Sequence, residues 1–184
     1  MWAEAPPPPW ATADEVVRFL GDGHVVDAPI AAHAATVRMA RHPATLTKSW
    51  YDTLLSQIDA LDYVEMVGIV CLVAATTSLR RTLGLEPLEL PTATDDDAIH
   101  DLPPTLADAR LNWVPVAAPA DATAAVVQAL TAVPRTNDDL WRLADVQYIP
   151  DAEMVDPRWT RGTMSRPEME LVAVSVSAGR ECHY

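Results

Sequence analysis

Apolar residues recur at spacings of three and four between proline and glycine breaks, the repeat that lines up one face of an α-helix, so the pattern predicts an all-α chain. A short helix is expected from Asp14 to Phe19, stopped at Gly21. Asp27 with Pro29 opens a second, whose face is Ile30, His33, Ala34 and Val37 and which His42-Pro43 closes. From Thr45, the four-residue repeat of Leu46, Trp50 and Leu54 gives a third. The strongest pattern follows, a helix from about Tyr63 to Leu83. Asp62 and Glu65 form a variant capping box at its start, and Arg80 and Arg81 complement its dipole before Gly84. Its run Met66 to Ala75 is apolar on nearly all faces and is expected to be enclosed by other helices or by a partner subunit.

From Glu86 to Asn112 the periodicity stops. Pro87, Pro91, Pro103 and Pro104 with Asp95, Asp96 and Asp97 mark an interdomain linker over residues 86–112. Beyond it, Ala120 to Ala132 reads as a helix between Pro119 and Pro134. Asn137 is expected to cap another, carrying Leu140, Leu143, Ala144 and Gln147. Ser165 and Glu168 frame a capping box with Pro167 in the first turn, opening a helix to about Ala178 that Gly179 ends.

Charge narrows the function classes. The 184 residues hold 13 basic and 26 acidic side chains, a net charge of −13, with only Arg80-Arg81 as adjacent cations. Neutralising phosphates needs clustered Lys and Arg, so nucleic acid and anionic membrane surfaces are excluded as partners. With 49% apolar and 21% charged residues the chain can bury a core. Its two cysteines, Cys71 and Cys182, make neither a disulfide framework nor a zinc site, which points to a reducing cytoplasm. Met1 to Trp10 lacks the basic start and apolar stretch of a signal peptide. Met66 to Ala75 is well short of the roughly 20 residues that span a bilayer and reads as a core helix.

No metal or cofactor is implied. His24, His33, His42 and His100 have no metal-ligand spacing, and His33 suits a core position. Asp95 to Asp97 with Asp101 lack the glycine and terminal glutamate of a calcium loop. Phosphate-binding loops and a nucleophile elbow are absent from the sequence.

Two segments echo one another, each setting a glutamate one turn into an apolar helix: Glu65 in Val64 to Val70 and Glu170 in Met169 to Val174. Desolvation there raises a carboxyl pKa and suits the group to passing protons near neutrality. Glu65 reads as a residue of the outer stripe, whereas Glu170 is followed twelve positions later by Cys182. In one continuous helix that spacing is about 18 Å. A break at Gly179 would bring the two together and set Cys182, beside His183, at a helix N-terminus that favours thiolate.

The stretch Ser165 to Ala178 followed by Glu181-Cys182-His183-Tyr184 resembles the alkylhydroperoxidase D-like branch of the carboxymuconolactone decarboxylase family. Redox members of that family carry Glu, eleven residues, Cys, two residues, Cys, three residues, His, and Glu170 and Cys182 match the first two positions. The resemblance implies an antioxidant thiol peroxidase reducing peroxides with a dithiol reductant. In it the second cysteine attacks peroxide, the first resolves the sulfenic acid as a disulfide, and Glu and His relay protons. Carried over, Glu170 is the relay carboxylate and Cys182 the resolving cysteine, while the other two positions have no counterpart and the cycle is expected to be incomplete. Leu46 to Tyr51 with Leu61 to Gly68 resembles the later helices of such a domain, but Thr77 and Arg80 fall at its cysteine positions, and Cys71 reads as a core residue.

The resemblance therefore implies two partial domains: residues 1–85 as the end of a first, without a redox site, and 113–184 as the start of a second that stops inside the cysteine motif. Two other functions fit the same fold, a non-catalytic helical oligomerisation module and a decarboxylase-like non-redox enzyme. Uncovered apolar helix faces make a homo-oligomer the expected state.

Overall fold

The computed structural model describes residues 28–89, 105–108, 111–117 and 125–179. The helix expected at Asp14 to Phe19, the Asp27 cap, the acidic run at Asp95 to Asp97, and Glu181, Cys182 and His183 lie outside the described residues. Helix α1, Ala28–Arg41, buries Ile30, Ala31, Ala34, Ala35 and Met39, with His33 and Val37 half-buried. The buried stripe is thus rotated from the expected one. Alanine is too weakly hydrophobic to declare a face, but its small side chain lets α1 approach its neighbour closely.

A 3-10 turn, Pro43–Thr45, leads to α2, Lys48–Leu54. The Thr47 Oγ1 accepts the Trp50 N–H at 3.2 Å, capping α2, whose Trp50, Tyr51 and Leu54 are buried. Arg38 of α1 stacks 5.0 Å from the Trp50 ring and donates to Thr45 Oγ1 at 3.0 Å, tying the two helices at this corner.

Helix α3, Ala60–Thr82, begins one turn before its expected start. Its cap is Asp59, whose Oδ1 accepts the Leu61 N–H at 2.7 Å, so Asp62 sits in the first turn and the expected Asp62–Glu65 capping box does not form. Gly84 ends it as expected: at φ 67° it adopts a conformation only glycine takes freely. The Leu85 N–H reaches Arg80 O at 2.9 Å and the Gly84 N–H reaches Arg81 O at 3.2 Å, the paired bonds of a Schellman motif.

Among the described residues, other helices do not enclose α3 on most sides. Tyr63, Val64 and Gly68 are its buried residues, while Ile69, Cys71, Val73 and Leu79 are exposed. Its neighbours cover the first half and leave the second outside the core. By length and composition the whole 23-residue helix is apolar enough to cross a membrane, a test that core helices also pass.

Within the expected linker, Leu106–Asp108 forms β1, paired antiparallel with β2, Pro115–Ala117, in the register Leu106 opposite Ala117 and Asp108 opposite Pro115. A three-residue strand is too short to show a period of two. Val116 is fully buried. The one-turn α4, Ala125–Gln128, is the described helical portion of the segment expected to be helical from Ala120 to Ala132. Helix α5, Pro134–Gln147, starts with Pro134 in its first turn, so Asn137 lies inside it and is not its cap.

Helices α1 and α5 both pack on α3. Val67 and Val114 touch the cluster around Trp50 and Leu54 as well as the cluster of Val64, Leu130 and Val133, which makes the core continuous across residues 86–112. The described chain is 63% helical and 6% strand, helical as expected apart from the small hairpin. After a 3-10 turn at Asp151–Glu153 the chain reaches α6, Arg166–Gly179, of which Met169 is the buried residue.

Candidate functional site

The start of α6 is built as its sequence predicts. Glu168 Oε2 accepts the Ser165 N–H at 2.8 Å, the glutamate arm of the expected capping box, and the Ser165 hydroxyl donates to the same oxygen at 2.7 Å. These bonds favour the charged form and hold the Glu168 carboxyl below its ordinary value.

One turn into α6, Glu170 is held from two elements. Arg166 Nε donates to Oε1 at 2.5 Å along the helix, and the Tyr148 hydroxyl, from the residue that ends α5, donates to Oε2 at 3.0 Å. The expectation of a raised pKa is reversed. The Arg166 bond outweighs desolvation, the Tyr148 bond acts in the same direction as Arg166, and the carboxyl lies below the ordinary glutamate value. Desolvation of the side chain, which is 43% exposed, works in the opposite direction and is outweighed. Glu170 is therefore a carboxylate at neutral pH, suited to accept hydrogen bonds and take a proton transiently, not to store one.

Both donors are themselves anchored. The Arg166 side chain is 14% exposed, and its remaining donors reach Met154 O at 3.1 Å and Asp156 O at 3.3 Å. Arg161 donates to Asp145 O at 2.7 Å, Tyr148 O at 2.9 Å and Val146 O at 3.2 Å, gripping the main chain where α5 ends, and lies 5.3 Å from the Trp159 ring. Burial, then the bond to Glu170, pushes the Tyr148 hydroxyl up, so it remains a donor through neutral pH.

Of the sequence candidates, Glu170 belongs to this cluster, while Cys182 and His183 lie outside the described residues. Glu65 is half-buried on α3, remote in sequence from the cluster. Cys71, expected in the core, is exposed on the outer half of α3, although its apolar neighbours push its thiol up toward the protonated form. Thr77 lines an apolar groove of about 410 Å³ with Leu72, Val73, Thr76, Pro87 and Leu88. His33 is half-buried, and burial lowers its pKa. Among the described residues no group of His, Cys, Asp and Glu is placed to hold a metal.

Sequence reasoning missed Tyr148, Arg161 and Arg166 as partners. The four-residue spacing of Arg166 and Glu170 was a usable signal. Tyr148 lies 22 positions from Glu170, and only the fold brings it there. No protein-family model, curated protein or solved structure matches the chain.

Proposed function

We propose that the chain carries the carboxylate and one thiol of an alkylhydroperoxidase-like thiol peroxidase, with a hydroperoxide as substrate and a dithiol as reductant. The observation that supports this reading is the fixed Glu170 carboxylate, held by Arg166 and Tyr148 at the motif position twelve residues before Cys182. In the reaction a peroxidatic thiolate attacks the peroxide, cleaving the O–O bond to give an alcohol and a sulfenic acid. The Cys182 thiolate then attacks that sulfenic sulfur, forming a disulfide and releasing water, and the dithiol restores both thiols as it is oxidised. Glu170 receives the proton of the attacking thiol and passes it on. The residues matched to the motif include Glu170 and Cys182 but not the peroxidatic thiol, which the test below provides as a second reactant.

The test treats the protein with a small-molecule sulfenic acid source, cumene hydroperoxide plus a limiting thiol, and follows oxidation at each cysteine by mass spectrometry. Cys182 is expected to oxidise faster than Cys71, with the advantage reduced about tenfold or more in Glu170→Gln. Equal rates at the two cysteines, or an unchanged rate in Glu170→Gln, would overturn the proposal.

A second reading, a non-catalytic helical association module, is favoured by exposed Leu171, Val172, Val174 and Val176 on α6 and by Ile69, Val73 and Leu79 on α3. On that reading Cys182→Ser changes no measurable property.

A further inference from the structure

We infer that Tyr148 is a positioning residue for Glu170, and that Arg161 fixes the point from which it acts by gripping the main chain where α5 ends. The inference rests on reading Glu170 as a working carboxylate and adds two residues that the motif does not contain. Arg166 is on the same helix as Glu170 and holds Oε1 alone; a single bond of that kind leaves the carboxylate free to turn about it. The Tyr148 hydroxyl takes the other oxygen from a different element, so together the two donors fix the plane of the group.

Tyr148 can do this because its own backbone is held on both sides. Its N–H bonds to Ala144 O at 2.8 Å and its carbonyl accepts from Arg161 Nε at 2.9 Å, while the next residue, Ile149, is fully buried. Arg161 spans Asp145, Val146 and Tyr148, so the last turn of α5 and the tyrosine move as one piece. Among the described residues, the titratable or charged groups facing Glu170 are Tyr148 from the end of α5 and Arg166 on α6; Met154 and Asp156 meet Arg166 through main-chain carbonyls.

The experiment is side-chain carboxyl NMR of the full chain with labelled glutamate. In Tyr148→Phe, Glu170 is expected to titrate higher than in the native protein, closer to an ordinary glutamate, while Glu168, bonded to Ser165 at the start of α6, stays put as the internal reference. An unmoved Glu170 titration would overturn the inference. Arg161→Met is expected to shift Glu170 in the same direction with α6 intact, and no shift there would remove Arg161 from it. If Tyr148→Phe does not fold, the reciprocal Glu170→Gln decides: the Tyr148 hydroxyl titration should fall toward that of ordinary tyrosine, and an unchanged value overturns the inference. Failure of the peroxidase reading shows elsewhere, as a Cys182 oxidation rate that Glu170→Gln leaves unaltered.

Discussion

Glu168 and Glu170 stand two residues apart, and both carboxyls are stabilised in the charged form, Glu168 by Ser165 and Glu170 chiefly by Arg166. Their pKa values in the folded protein lie below that of an unfolded chain, about 4.3. The stability they confer is therefore fully present above that value and is lost as the pH falls through their lower folded values. His33 acts earlier in the same direction: burial lowers its pKa, so stability declines once the pH drops below about 6.5, where the unfolded chain takes up the proton first. Urea midpoints are expected to fall from pH 7 to pH 5 and further below pH 4, and Glu170→Gln should flatten only the lower limb. A lower limb unaltered in that variant would contradict the ionised Glu170. Glu170 was legible as a candidate because its motif spacing is local, but the direction of its pKa was not. Apolar neighbours in sequence suggested burial, whereas on α6 most of those neighbours point to solvent.

Helix ends encoded within a few residues were readable from the sequence, as Ser165 with Glu168 and the stop at Gly84 show. Where two capping residues compete, sequence does not rank them. Asp59 and Asp62 are three apart and either can cap α3, and the folded chain uses Asp59. One close approach between elements was invisible. A Cβ on Gly68 would stand 1.9 Å from Thr136 Cγ2, so α3 and α5 meet at a distance that only glycine permits. Gly68→Ala is expected to destabilise the protein by about 1–3 kcal/mol through overpacking. Thr136→Ser removes the clashing methyl and should restore much of that loss in the double variant. Thermal melts of the four proteins check this, and additive losses would show that the α3–α5 contact is looser than the structure has it.

At the scale of the whole molecule the uncovered surface is the dominant feature. Leu171 is 68% exposed and Val174 63%, and the outer half of α3 adds Ile69 and Leu79, more apolar helix surface than a solitary chain of this size usually leaves in water. Static light scattering is expected to give a mass that is a multiple of 20.0 kDa, and Leu171→Lys with Val174→Lys should lower it. A monodisperse species at 20.0 kDa would count against self-association of these faces. The sequence by itself determined the helical character, the caps and stops at Ser165, Glu168 and Gly84, and the place of Glu170 on its helix, because periodicity and capping act between residues at most four or five positions apart. The tertiary structure alone decided which stripe of α1 is buried, that residues 106–108 pair with 115–117, that Gly68 meets Thr136, and that Tyr148 reaches Glu170. Those contacts join positions far apart along the chain, and they are selected by the packing of the whole core, not by any local pattern.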